Sequence, residues 1–73
     1  MSPDEERRHV TELALLVKEY QLAGSDLRET MRAALANELE NIRTQHGEAQ
    51  LAGIIRRVEA TMNGARFPDL STT

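Results

Sequence analysis

Cysteine is absent from the chain, which excludes disulfide staples and any thiolate-based zinc site, although it says nothing about redox compartment. Tryptophan is absent too, and the aromatic content is Tyr20 and Phe67 alone. A core must therefore be assembled from Leu, Ile, Val, Met and Ala, and such cores suit helices. No apolar run approaches the roughly 18 residues that a membrane span requires. The start of the chain carries Asp4, Glu5 and Glu6 where a secretory signal would carry basic residues, so we expect a cytoplasmic protein with no membrane partner. An excess of positive charge is also missing. Nine basic side chains stand against twelve acidic ones, a net charge of −3, whereas domains held on nucleic acid by phosphate contacts are usually strongly basic. We find no internal repeat, low-complexity tract or linker, and no heptad pattern long enough for a coiled coil.

Seventy-three residues make a single domain. A chain of this size buries only about 60% of the surface that its unfolded form exposes, so its stability is marginal and a staple is expected. With disulfides excluded, and with His9 and His46 too few by themselves for a structural zinc site, tight helix packing or self-association remains.

What is present reads as three helices and a tail. Ser2-Pro3-Asp4-Glu5 is a helix start: the serine hydroxyl can accept from the Glu5 amide, proline suits the first helical position, and acids favour the positive end of the dipole. Val10, Leu13, Ala14 and Val17 then follow the i, i+3, i+4, i+7 spacing of one apolar face, giving a first helix over about residues 3–22. Its apolar surface is wider than one stripe, because Leu15, Leu16, Tyr20 and Leu22 extend it around the cylinder. The C-terminal half of this helix should touch two neighbours. Gly24 is expected to end it in a left-handed conformation, with Ser25-Asp26 capping the next and Glu29 completing a capping box.

The second helix is expected over about residues 27–45, with Leu27, Met31, Ala34, Leu35, Leu39 and Ile42 on one side. Arg28, Arg32, Ala36, Asn37, Glu40 and Arg43 fall largely on the other. Gly47 stops it, and His46 in the last turn suits the negative end of the dipole. The third helix, about residues 48–63, has the cleanest period: Leu51, Ile54, Ile55, Val58 and Met62. Asn63-Gly64 closes it. In the tail, Pro68 biases Phe67 toward extended backbone, so residues 65–70 can fold back as a strap, while Ser71, Thr72 and Thr73 are expected to be disordered. The fold class is all-α: a compact three-helix bundle with a C-terminal extended strap, one domain over residues 1–73.

Catalysis needs a nucleophile with its base, paired carboxylates in unequal environments, or a metal. We identify no catalytic set, no cofactor site and no metal site. Glu5, His9 and Glu12 share a face of the first helix at spacings of four and three, a pattern that could ligate a metal weakly but reads first as solvated charge. The four glycines are punctuation rather than a phosphate loop. Gly53 is the exception, because glycine inside a helix costs about 1 kcal/mol relative to alanine; it marks either a close approach of a neighbouring backbone or a tolerated defect. The basic clusters Arg7-Arg8, Arg28 with Arg32, Arg56-Arg57 and Arg66 are interrupted by acids, and pairs such as Glu29 with Arg32 and Glu40 with Arg43 read as solvated faces.

From Leu35, the stretch Leu-Ala-Asn-Glu-Leu-Glu-Asn-Ile-Arg-Thr-Gln-His-Gly, then Gln-Leu-Ala, Arg-Arg-Val-Glu and Asn-Gly-Ala-Arg-Phe-Pro-Asp-Leu, resembles the phage-repressor type of helix-turn-helix domain. That resemblance implies DNA binding. The segments between Gly47 and Leu51 and between Ala52 and Val58 are nevertheless several residues short of separate scanning and recognition helices, and Leu51 through Met62 keep one unbroken period.

The function expected from these residues is non-enzymatic regulation by docking onto a larger protein. In size and style the chain is similar to small regulators made by bacteriophages and mobile elements, including those that bind host RNA polymerase or a transcription factor and inhibit it. The contact surface should combine exposed apolar residues with arginine, as binding hot spots do. We expect it at Leu16, Tyr20, Leu22, Arg28, Arg32 and Phe67, with Tyr20 and Phe67 also candidates to plug the bundle. The alternatives are a degenerate helix-turn-helix on DNA and a homodimer with the first helix as its seam.

Overall fold

The computed structural model describes residues 2–70 and contains three helices, α1 (Pro3–Leu22), α2 (Ser25–His46) and α3 (Glu48–Thr61), each packed on the other two. The expected disorder at residues 71–73 concerns positions outside those described. The start of α1 forms as its sequence dictates: Ser2 is extended, its Oγ accepts from the Glu5 amide at 3.2 Å, and Pro3 opens the first turn.

The α1–α2 turn differs from expectation. Gly24 has φ −70° and ψ 171°, an ordinary extended conformation, and caps the start of α2 through its carbonyl, which accepts from the amides of Leu27 and Arg28. Asp26 lies inside the first turn, with no side-chain cap bond, and Glu29 is engaged by Arg32 rather than by a capping box. As a result α2 begins two residues earlier than expected. Left-handed glycines appear at the other two boundaries. Gly47, at φ 90°, separates α2 from α3 by one residue. Asn63 and Gly64, at φ 60° and 82°, turn the chain out of α3, with the Gly64 amide donating to Glu59 O at 2.9 Å. These successive left-handed residues end α3 at Thr61, two residues before the expected limit.

Six residues, two from each helix, form the fully buried core: Leu13 and Val17, Leu35 and Ile42, Ile54 and Val58. Val10, Ala14, Leu39, Leu51 and Met62 pack around them. The pattern on α1 and α3 is as expected, but α2 is rotated about its axis. Leu27 is 61% exposed and Ala34 is exposed, whereas Arg32, Ala36 and Glu38 are half-buried. The buried seam of α2 therefore runs through Leu35, Leu39 and Ile42 and ends at His46, flanked by long polar side chains whose stems are covered.

Pairings along α1 and α2 run in opposite order: His46 faces Glu5, while Arg28 lies over Tyr20. The two helices are antiparallel. The tail returns over the core, with Phe67 and Leu70 packed against it, the Phe67 amide donating to Glu59 Oε2 at 2.8 Å, and Arg32 reaching the Leu70 carbonyl at 3.4 Å. The strap is thus tied to both α3 and α2.

Gly53 is not a close-approach glycine. It lies within α3, and beyond its chain neighbours and the adjacent helix backbone no heavy atom of the described residues comes within 4 Å of where a Cβ would stand, so alanine fits without displacing anything. Gly53→Ala is therefore expected to stabilise the fold by about 0.5–1 kcal/mol, the helix-propensity difference. In a thermal melt that is a rise of roughly 3–8 °C; an unchanged or lower midpoint would mean that α3 is not regular there.

Candidate functional site

Two features stand out, on opposite sides of α1. The first is an open groove of about 630 Å³ between α1 and α3. Its α1 wall is Arg7, Val10, Thr11, Ala14, Leu15, Lys18 and Gln21, a single stripe at i, i+3, i+4, i+7, i+8, i+11 and i+14. At 1.5 Å per residue that stripe is about 21 Å long. The α3 side and the start of the tail supply Arg57, Thr61, Met62 and Ala65. Its apolar floor is thus Val10, Ala14, Leu15 and Met62, with Arg7, Lys18 and Arg57 along the edges and no acidic residue in the lining. Arg57 also donates to Glu6 Oε1 at 2.9 Å, tying α3 to α1, and Arg7 lies 3.9 Å from Asp4. Leu15 is 57% exposed here, which accounts for the second apolar stripe that the sequence places on the first helix.

The second feature lies in the α1–α2 seam. His9 and His46 meet with ring centroids 5.7 Å apart in an edge-on arrangement. His46 Nε2 lies 3.5 Å from Glu5 Oε1, and His9 Nδ1 lies 3.7 Å from Glu38 Oε1. Those separations exceed normal hydrogen bonds, and both nitrogens are buried without a hydrogen-bond partner among the described residues. The expectation that Glu5, His9 and Glu12 form a merely solvated face is corrected here for His9, which packs into the seam. His46 does stand in the last turn of α2, where a capping role was expected, but its imidazole is turned toward His9.

The groove lining includes none of the six residues expected to contact a partner. Leu16 and Phe67 are half-buried against the core, whereas Leu22 is 76% exposed beside the α1–α2 turn. Tyr20, Arg28 and Arg32 do gather: the Arg28 guanidinium lies 5.4 Å from the Tyr20 ring centroid, and Arg32 is fixed between Glu29 and the strap. The hydrogen bond from Arg32 lowers the pKa of the Glu29 carboxyl below its ordinary value, and Arg43 does the same to Glu40. These pairs are exposed and hold local geometry more than they hold the fold. Arg32 is thus committed within the molecule, and Arg28 and Leu22 are the members of that set left exposed.

α3 runs without a break from Glu48 to Thr61, so the segment between Gly47 and Val58 lies in one helix where separate scanning and recognition helices would be two. Comparison with protein-family models, with curated proteins and with solved structures finds no match.

Proposed function

We propose that this chain is a non-enzymatic docking module that seats an acidic amphipathic helix of a larger protein in the groove between α1 and α3. The observation that carries the reading is the groove itself: an α1 wall about four helical turns long with Val10, Ala14, Leu15 and Met62 as its apolar floor, edged by Arg7, Lys18 and Arg57 in a chain whose net charge is −3. Basic edges on an acidic protein select by charge, and a groove of that length with its apolar floor at the middle fits a helix laid lengthwise with apolar anchors at its centre. Bacterial transcription machinery, through an RNA polymerase subunit or a transcription factor, is the partner class expected from the chain's size and style, and inhibition by occupying such a helix is the corresponding action.

The test compares two surfaces. Tagged wild-type protein, a Leu15→Asp/Lys18→Glu variant and an Arg28→Glu variant are used to capture partners from lysate of the native host after nuclease treatment. A stoichiometric partner retained by wild type and by the Arg28 variant but lost by the groove variant, with equal helicity in all three, supports the groove. Loss at Arg28 alone moves docking to the α1–α2 end, and capture of no partner by wild type overturns the docking reading.

A second reading has its own observation. Leu22 and Leu27, exposed on either side of the α1–α2 turn, offer an apolar patch for a second copy. A homodimer sealed there predicts a melting temperature that rises with protein concentration, whereas a monomeric docking module predicts none.

A further inference from the structure

We propose that Glu5, His9 and His46 form a binding site for a divalent transition-metal cation of the Zn²⁺ class, fastening the start of α1 to the end of α2. One ligand atom from each of the three lies within 4.8 Å of the others, and His9 belongs to a second such group with Glu12 and Glu38. The arrangement follows from the antiparallel pairing. Glu5 and His9 stand one turn apart on α1, Glu38 and His46 two turns apart on α2, and the two rows face each other across the seam.

The chemistry of the donors favours a metal over a structural ion-pair pair. His9 Nδ1 and His46 Nε2 are buried with no hydrogen-bond partner among the described residues, an arrangement that a folded protein rarely leaves uncompensated. The carboxylates opposite them stand at 3.5 and 3.7 Å, too far to satisfy a neutral imidazole. The two rings meet edge to face with centroids 5.7 Å apart, close enough for one ion to bridge them. One cation between them resolves all of this: it accepts lone pairs from neutral imidazoles and takes its charge balance from carboxylate oxygen. Two imidazoles and a carboxylate suit Zn²⁺ and its neighbours, whereas Mg²⁺ and Ca²⁺ prefer all-oxygen sites.

Bonds of about 2.0–2.2 Å in a tetrahedral site place donors roughly 3.4 Å apart, so the three side chains close by small rotations rather than by backbone movement. Glu5 keeps 42% of its side chain exposed against 17% for His46, leaving an entry path on one side. Glu38, 27% exposed, stands 3.7 Å from His9 Nδ1, on the same side as the cation, where it can complete the coordination. At 100° per residue, the Glu5–His9–Glu12 stripe and the groove stripe lie on opposite faces of α1, so this site and the docking groove are independent.

The experiment uses chelator-treated full-length protein and Zn²⁺ alone, with Mg²⁺ as the control, read by titration calorimetry, thermal melting and imidazole ¹⁵N chemical shifts. The expected result is one zinc per chain, a melting temperature raised by roughly 10–20 °C once free zinc reaches a hundredfold excess over Kd, and large shifts of one nitrogen in each histidine. Mg²⁺ should do none of this. His9→Gln and His46→Gln should each weaken zinc binding at least about tenfold, since even an outer-shell partner is worth about 10–100-fold. The shifts of the wild-type imidazoles stand as the deciding readout if either variant fails to fold. No binding up to about 1 mM zinc, or zinc binding that leaves the His9 and His46 nitrogens unmoved, overturns the site.

Discussion

Leu35→Ala should remove about half of the stability of this protein, while Leu27→Ala two turns earlier on the same helix should leave it nearly unchanged. Leu35 is fully buried between α1 and α3, and truncation there loses the transfer free energy of the removed methyl groups and leaves a cavity that the neighbours fill only in part. Such substitutions cost about 2.7–5 kcal/mol. Domains hold roughly 0.05–0.15 kcal/mol per residue, which for a chain of this length is about 4–11 kcal/mol in total. The variant should therefore melt at least about 10 °C below wild type. Leu27, 61% exposed, has little buried surface to lose, and its effect should stay within about 0.5 kcal/mol. Chemical denaturation of the pair measures both. Similar losses at the two positions would restore the helical face read from the sequence, with Leu27 and Leu35 side by side, and would contradict the rotation of α2.

That rotation marks where the sequence stops being legible. In α3 the apolar residues fall on one period, and in α1 Val10, Leu13, Ala14 and Val17 do so beside a second stripe, so burial follows from spacing: Leu13, Val17, Ile54 and Val58 are in the core as expected. In α2 two periods compete. Leu27, Met31, Ala34 and Leu35 suggest one stripe, while Leu35, Leu39, Ile42 and His46 continue another about a quarter-turn away, and the small Ala34 gains too little from burial to decide between them. Packing decides, because the second stripe also lays the stem of Arg32 and the side chain of Glu38 along the seam.

The same ambiguity concealed the histidine cluster. Glu5, His9 and Glu12 are visible as a row on one helix, but their significance depends on what faces them, and that is set by the antiparallel register of α1 and α2. The usable signal was a second row, Glu38 and His46, at the far end of the next helix in a tight hairpin, where antiparallel pairing must bring the start of one helix to the end of the other. The groove was half legible. Leu15 on a second apolar stripe of α1 announced a second contact face, but the basic edge comes partly from Arg57 on α3, which no local pattern links to Arg7 and Lys18.

Phe67→Ala should lower stability by about 2 kcal/mol, less than the 3–5 kcal/mol of a fully enclosed phenylalanine because this ring is half-buried. The expected fall in melting temperature is roughly 8–16 °C. The ring packs on the core from a strap that has no secondary structure of its own, so its position depends on the few polar contacts that hold the backbone: Glu59 Oε2 accepting the Phe67 amide at 2.8 Å and Arg32 donating to the Leu70 carbonyl. Glu59→Ala, which removes a charged acceptor and leaves that amide to water, should cost about 1–2 kcal/mol. The two substitutions should also combine to less than their sum, since once the strap is released the second has little left to break. The sequence offers Phe67 both as a plug for the bundle and as a partner contact, and the double-mutant cycle separates the roles. A structural plug gives a large loss in the free protein and sub-additive coupling to Glu59. A pure docking residue gives a melting temperature within about 2 °C of wild type and additive behaviour, with its effect appearing only when a partner is added.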